Sequence, residues 1–223
     1  MNRAIIIVAG GKGLRMGGDI PKQFLLLQGR PILMHTIERF HDYDPHMQIV
    51  VVLPTAQQDY WEELCRQYSF AIPHTITAGG EQRFHSVKNG LLAVSPDCDV
   101  IGVHDGVRPF VSTDTIRRCY QTAESQGTAI PVVPVVDSMR RLCKPTMFSH
   151  HTSTIVDRED YRLVQTPQVF SAQLLRNAYE QPFTPRFTDD ASVIENLGYP
   201  VTLVDGNRDN IKITTPEDLI SAL

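Results

Sequence analysis

The sequence predicts an α/β fold, a Rossmann-like and mostly parallel sheet with helices on both faces. Three observations predict it. Short β-branched runs alternate with stretches of helical apolar spacing, the pattern of a parallel sheet whose faces are covered. Glycine-rich turns follow the first and third of these runs, and an aspartate follows the fourth. In an open α/β sheet such strand ends form one ligand-binding rim. The 223 residues suit a single domain spanning 1–223.

The first run, Ile5-Ile6-Ile7-Val8, reads as a buried strand. Residues 31–40 carry Leu33 or Met34, Ile37 and Phe40 at helical spacing, with Pro31 suited to the first turn. Residues 48–53 form a second strand, after which Thr55 and Gln58 are spaced as a capping box for a helix through Tyr68. A third strand over 74–78, a helix over 83–94 and a fourth strand over 100–104 follow. A helix over 112–126 closes at Gly127. Residues 128–136 form a fifth strand, in which Pro131 and Pro134 predict one unpaired or bulged edge.

Residues 137–165 then change character, being polar, alternating and basic through Arg140, Arg141, Lys144, Arg158 and Arg162. They read as a hairpin-like arm with a turn near Lys144-Pro145-Thr146. An arm too small for its own core must pack on something, and a second subunit is the expected surface. Beyond it the sequence predicts a return segment at 166–170, a helix over 171–180, and a helix capped by Thr188-Asp189-Asp190 that ends at Gly198. A short strand at 201–204, a second one entered from the polar loop 205–214, and a final helix capped at Thr215-Pro216 complete the chain.

The loop after the first strand holds five glycines between Gly10 and Gly18, with Lys12, Arg15 and Lys22 among or just beyond them. Glycines let backbone N–H groups approach phosphate oxygens, and cations add compensating charge. A Walker loop is excluded, because Gly13 rather than Ser or Thr follows Lys12. A dinucleotide site, and with it an NAD oxidoreductase, fits poorly. Met16 stands where the third glycine belongs, and the second strand closes Val52-Leu53-Pro54 without an acid. The nucleotidyltransferase signature G-x-G-x-R-M followed by P-K is satisfied by Gly11-Lys12-Gly13-Leu14-Arg15-Met16 and Pro21-Lys22.

On the same rim, Arg83 and Ser86 open a helix after Gly79-Gly80, where they reach phosphate or sugar oxygens. Asp105 suits Mg²⁺ or substrate hydroxyls and Arg108 suits a phosphate, the plainer reading being an Asp–Arg pair that stabilises a turn. His104 reads as a packed or backbone-bonded histidine. Net charge of −4 argues against nucleic acid as the partner, and no stretch is long and apolar enough for a membrane span. Cys65, Cys98, Cys119 and Cys143 lie far apart and read as reduced thiols of a cytoplasmic protein. His150-His151, adjacent in sequence, would fall on opposite faces of a strand and suggest no metal site.

Six motifs, in order, carry a resemblance over essentially the whole chain. They are 9–16 with Pro21-Lys22-Gln23-Phe24, then 79–87 (GGEQRFHSV), 104–109 (HDGVRP), Thr166-Pro167-Gln168-Val169-Phe170, Thr188-Asp189-Asp190-Ala191-Ser192 and 209–214 (DNIKIT). Together they resemble the 2-C-methyl-D-erythritol 4-phosphate cytidylyltransferases of the non-mevalonate isoprenoid pathway. That resemblance implies a fold of the nucleotide-diphospho-sugar transferase type with a protruding β-arm, and a CTP-dependent transfer that releases pyrophosphate. It implies Arg15, Lys22 and Lys212 as catalytic cations, and Ala9, Gly10, Gly11, Gly13, Gly79, Gly80, Glu81, Arg83, Ser86 and Asp105 as nucleotide-binding residues. Asp105, Arg108, Ser138, Arg158, Thr188 and Lys212 would face the polyol phosphate, Arg158 from the partner subunit of a homodimer built on the 137–165 arm. Mg²⁺, or another divalent cation, would be held through the CTP phosphates rather than by a protein ligand set.

Departures from the family pattern fall at Gly10 and Gly106-Val107, where alanines are usual, and on the arm at Ser138 and Glu159-Asp160. The arm changes keep a sister family, the ribitol-5-phosphate cytidylyltransferases, as the alternative. A non-catalytic nucleotide-binding protein on the same fold is the alternative of another class.

Overall fold

A run of four β-branched residues has no polar face, so the strand that carries it must be covered on both sides. In the computed structural model, which describes residues 1–10, 20–143 and 152–221, β1 (Arg3–Val8) meets that requirement at the centre of the sheet. The elements that follow are β2 (Leu26–Leu27), β3 (Arg30–Pro31), α1 (Ile32–Tyr43), β4 (Gln48–Leu53), α2 (Gln58–Gln67), β5 (Thr75–Ala78), α3 (Arg83–Ala93) and β6 (Val100–Asp105). Next come α4 (Thr113–Gln126), β7 (Thr128–Pro134), the arm strands β8 (Arg140–Leu142) and β9 (Ser153–Ile155), then β10 (Arg162–Val164) and β11 (Gln168–Ser171). The chain closes with α5 (Ala172–Ala178), α6 (Asp190–Asn196), β12 (Leu203–Asp205) and α7 (Pro216–Ser221).

The main sheet runs β10-β7-β11-β6-β1-β4-β5, with β12 also paired to β7. β5, β4, β1 and β6 are mutually parallel, while β11 enters antiparallel between β6 and β7. The sheet is thus the mostly parallel one that the sequence predicts. Side-chain alternation splits the core in two. Ile5 and Ile7 face α1, α2 and α4 through Leu33, Ile37, Trp61 and Tyr120. Ala4 and Ile6 face α3, α5 and α6 through Val87, Leu175 and Ile194. On that second face α3 lies so close that a Cβ on Gly90 would sit 2.6 Å from Ile6 Cγ2 and 3.2 Å from Val52 Cγ2.

Two sequence expectations are corrected, and a third, the bulged edge of the fifth strand, is met. Thr55 and Gln58 form no capping box: Thr55–Gln57 is a 3₁₀ turn closed by Gln57 N–H to Pro54 O (2.8 Å), and Gln58 Nε2 donates to Leu53 O instead. β7 is paired along both edges, and one of them is bulged at Pro131, as the sequence predicts: between the pairs Val132–Val164 and Ala129–Val169 two β7 residues face four of the partner segment. β11 serves one edge at Thr128 and Ala129 and β10 the same edge at Val132, Val133 and Pro134, while β12 takes the other. Pro131 sits where β11 gives way to β10, so its carbonyl still accepts from Gln165 N–H (2.8 Å). Residues 211–214 form no strand; the Asp218 carboxylate takes the Thr214 and Thr215 N–H groups, leaving Ile213 N–H to Val107 O (3.0 Å) as a single backbone tie.

The arm is a hairpin as far as it is described, Arg140 opposite Ile155 and Leu142 opposite Ser153. Its expected turn at 144–146 and the pair His150-His151 lie outside the described residues. The small β2–β3 hairpin escaped the sequence reading. Its two-residue loop puts Gln28 at φ 51° and Gly29 at φ 80°, and a glutamine is not among the residues that announce such a turn.

The tight seat of α3 makes a test. Gly90→Val should lower stability by at least about 1–3 kcal/mol through overpacking against Ile6 and Val52. Urea unfolding reads it as a lower midpoint at constant slope; an unchanged midpoint would mean that α3 can shift off the sheet.

Candidate active site

The carboxyl ends of the parallel strands are stitched to one another by backbone bonds. Ala9 N–H donates to Val52 O (3.0 Å), Gly79 N–H to Leu53 O (2.8 Å) and Gly106 N–H to Val8 O (2.9 Å). The glycine loops after β1 and β5 and the aspartate ending β6 therefore share one rim, as the strand order requires. Ser86 completes the β5 loop: its Oγ accepts from Gly80 N–H (3.0 Å) and donates to Gln82 O (3.2 Å).

Two depressions open on this rim. One, of about 250 Å³, is lined by Ala9, Gly10, Lys22, Gly80, Glu81 and Ser86; the other, of about 170 Å³, by Arg108, Gln165, Thr166, Gln168, Thr188 and Asp189. Arg83, Asp105 and Lys212 line both, so these three stand at the seam. Asp105 Oδ2 lies 3.0 Å from Lys212 Nζ and 3.1 Å from Arg108 Nε. Burial would raise the carboxyl's pKa, but Lys212, Arg83 and Arg108 outweigh burial and hold it well below the usual carboxylate range. Asp105 is therefore an anion at neutral pH.

Behind Asp105 runs a chain of buried polar groups. Asp105 N–H donates to Thr166 Oγ1 (3.1 Å), and Thr166 Oγ1 lies 2.9 Å from His104 Nδ1. His104 Nε2 is 3.1 Å from Arg108 O. A carbonyl only accepts, so Nε2 carries the proton and Nδ1 accepts from the threonine hydroxyl. His104 is thus the packed, backbone-bonded histidine that the sequence suggests, and burial pushes its pKa down to about 4. Arg108 Nη1 donates to Asn210 O (2.7 Å), and Asn210 Nδ2 to Thr166 O (2.8 Å), so the C-terminal loop is laced to the same chain. Arg83 is held by Asp190 at 2.6 Å. Burial acts against its charge, but Asp190 more than offsets that and its pKa is raised.

Of the residues read from the sequence, Ala9, Gly10, Lys22, Gly80, Glu81, Arg83, Ser86, Asp105, Arg108, Thr188 and Lys212 come together on the rim, with Gly79 beside them. Lys22 is carried by the turn Lys22–Phe24, whose Phe24 stacks on Trp61 (6.0 Å between ring centroids). Gly11, Gly13 and Arg15 lie outside the described residues. Ser138 and Arg158 share a separate depression on the arm with Met139 and Asp157 and line neither rim depression. Thr166, Gln165, Asn210 and Asp190 escaped the site reading. Thr166, Asp190 and Asn210 are visible in the sequence only as parts of motifs, and nothing local marks Gln165. Among the described residues no three His, Cys, Asp or Glu side chains are grouped to hold a metal ion.

Glycine loops, cations and a compensated aspartate at the strand ends of this sheet define an α/β nucleotide-binding protein of the nucleotidyltransferase type. Comparison with known proteins narrows the class. The family model described as 2-C-methyl-D-erythritol 4-phosphate cytidylyltransferase matches residues 3–223, and the chain belongs to that family. A protein of that name from Phocaeicola vulgatus is 58% identical over 219 residues, covering 98% of this chain and 97% of the relative. Another from Bacteroides fragilis is likewise 58% identical over 98% and 97%. Among solved structures, the Thermus thermophilus enzyme of that name aligns with TM-score 0.76 and 33% identity over 100% of this chain and 97% of its own. A 4-diphosphocytidyl-2C-methyl-D-erythritol synthase from Anaerococcus prevotii aligns with TM-score 0.82 and 26% identity over 99% and 94%. The arm substitutions that left room for the ribitol-5-phosphate family are therefore variation inside the methylerythritol family.

The buried His104 has a consequence for acid stability. Its folded pKa, near 4, lies below the unfolded value of about 6.5, so the unfolded state binds more protons between those values. Its contribution is complete above pH 6.5 and is lost as pH falls toward 4, on the order of 3 kcal/mol. The depressed Asp105 acts only below that window. Urea stability measured from pH 7 to 4 should fall for the parent chain and fall less steeply for His104→Asn; parallel slopes would overturn the assignment.

Proposed function

We propose that the chain joins CTP and 2-C-methyl-D-erythritol 4-phosphate to give 4-diphosphocytidyl-2-C-methyl-D-erythritol and pyrophosphate. The observation that carries the reading is the seam itself: Arg83, Asp105 and Lys212 line both a glycine-edged depression suited to a nucleotide and a second, polar one suited to the acceptor. An oxygen of the acceptor phosphate attacks the α-phosphorus of CTP, and the bond to pyrophosphate breaks. No general base is needed, because a phosphate monoester is already largely dianionic near neutral pH (second pKa about 6). The neutral His104, with both ring nitrogens engaged, is unsuited to that task in any case.

What the site must supply is alignment of two anions and stabilisation of charge at phosphorus. Lys22 and Lys212, with Arg15 on the family resemblance, are the cations for this, with Arg108 and Thr188 on the acceptor side and the backbone of Ala9-Gly10 and Gly80-Glu81 around the nucleotide. Glu81 and the charge-compensated Asp105 are the carboxylates lining the described nucleotide depression, a donor set that fits Mg²⁺ arriving on the triphosphate better than a resident ion. Bound there, the ion would neutralise triphosphate oxygens.

We further read the whole chain as one domain with 137–165 as a dimerisation arm. Apolar side chains left open along and beside it support that reading: Val136 is 53% exposed, Leu142 79%, Ile155 77% and Leu163 54%. In the dimer, Ser138 and Arg158 would complete the partner's acceptor site. Among the described residues no helix is long and apolar enough to cross a membrane.

Pyrophosphate release from CTP and Mg²⁺ should occur with methylerythritol 4-phosphate and not with ribitol 5-phosphate; the reverse preference would move the acceptor assignment. Lys22→Ala or Arg15→Ala should lower turnover by about 10²- to 10³-fold with the fold intact. Near-normal turnover in either would sink its role. Mixing subunits of Lys22→Ala with subunits of Arg158→Ala should restore about a quarter of the active sites, since random pairing gives mixed dimers with one complete site. No recovery on mixing would mean that Arg158 does not serve the partner.

A further inference from the structure

Arg83 is the first residue of α3, where a positive charge opposes the helix dipole. Something must hold it there, and the holder is elaborate. Asp190, the first residue of α6 and 0% exposed, accepts from Arg83 Nη2 on Oδ2 (2.6 Å) and from the Tyr179 hydroxyl on Oδ1 (2.6 Å). Tyr179 is itself buried, with its ring stacked on Phe84 at 4.7 Å, and Phe84 adjoins Arg83 in the chain. The path from Arg83 through Asp190, Tyr179 and Phe84 closes on itself, and both carboxylate oxygens are committed.

Stability alone accounts poorly for this arrangement, because a buried ion pair contributes little over well-packed apolar residues of similar size. Nor is Arg83 fully enclosed: its side chain is 29% exposed and lines both depressions of the rim, whereas Asp190 is sealed. A guanidinium is a planar fork of five N–H donors, so fixing one nitrogen sets the direction of the others.

We propose that Asp190 and Tyr179 are positioning residues that fix the Arg83 guanidinium at the seam, where its remaining N–H donors meet phosphate oxygens as nucleotide and acceptor come together. This rests on the cytidylyltransferase reading and deepens it. Asp189, by contrast, makes no hydrogen bond with Arg83: its Oδ1 caps α6 within a capping box with Ser192, and its Oδ2 accepts from Gln168 Nε2 of β11 (2.8 Å). The two neighbouring aspartates thus divide the work, one shaping the helix and the other aiming a cation.

The test uses Tyr179→Phe, which keeps the ring on Phe84 and removes only the hydroxyl. It should lower kcat/KM for pyrophosphate release about ten- to hundredfold while leaving the thermal midpoint within a few degrees. In an Arg83→Met background the same substitution should cause no further loss. Additive losses in the double variant would show that Tyr179 acts elsewhere and would overturn the proposal, as would an Arg83→Met variant with normal kinetics. A second readout needs no turnover: NMR of ¹⁵N-arginine protein should show resolved, slowly rotating Arg83 Nη–H signals in the parent chain that collapse in Tyr179→Phe. Averaged signals in the parent, or signals unmoved by the substitution, would overturn the positioning role. Absence of pyrophosphate release by the parent chain would instead count against the reaction assigned to the site, with the NMR result still deciding the role of Tyr179.

Discussion

A carboxylate largely buried at the end of a central strand can stay ionised only if cations are brought to it. Asp105 imposes that condition, and much of the molecule answers it. Lys212 arrives on the loop before α7, Arg83 on the first turn of α3, and Arg108 on the turn that leaves β6. Each supporting segment needs its own anchor. The loop bearing Lys212 is tied through Asn210 to Thr166 and through Ile213 to Val107, while α3 is tied through Arg83 to Asp190 of α6. The geometry of the rim is in this sense the solution to a charge problem set by one residue.

What was legible in the sequence, and what was not, follows from the range of the interactions. The β-branched runs and the glycine loops act locally, so the strands β1, β4, β5 and β6 and the rim they form could be read directly. The insertion of β11 antiparallel between β6 and β7 could not, because Gln168–Ser171 has only two apolar residues, Val169 and Phe170, between polar ends, and nothing in those residue types gives the strand's direction or neighbours. Pro131 does mark a bulged edge, since a missing N–H breaks a ladder locally, but which strands meet there could not be read: the partner changes from β11 to β10 at that residue. Thr55 and Gln58 have the spacing of a capping box, but Pro54 starts a 3₁₀ turn that supplies the bonding first.

The site divides in the same way. Gly79, Gly80, Arg83, Ser86, Asp105, Arg108 and Lys212 sit in motifs whose residue types already speak of phosphate, and they do converge. Gln165 carries no such mark, and Asn210, although inside the 209–214 motif, has no residue type that speaks of phosphate; an amide is unremarked until it is found buried. Gln165 Nε2 donates to Asn207 O (2.9 Å), and Asn207 in turn holds Ser112 N–H (3.1 Å) at the head of α4. These amides join segments remote in sequence, and their role exists only in the folded chain.

The polar chain behind Asp105 says what kind of chemistry the rim is built for. Thr166 accepts from Asp105 N–H and donates to His104 Nδ1, and His104 in turn donates to Arg108 O. Every proton in that sequence is fixed by a partner that cannot exchange roles, because its two ends are a backbone N–H and a backbone carbonyl. Such a chain cannot carry a proton to or from substrate; it can only hold the Asp105 backbone and the Arg108 turn in register. A transfer between two phosphates asks for the same thing. Its nucleophile arrives already charged, and the cost to be offset is the approach of one anion to another. Thr166 also follows Gln165, and β10 ends at Val164, so the register of the rim is set by the segment in which the arm returns to the sheet. Whatever the arm packs against therefore bears on the alignment of Asp105 and Arg108 as well as on the shape of the acceptor depression.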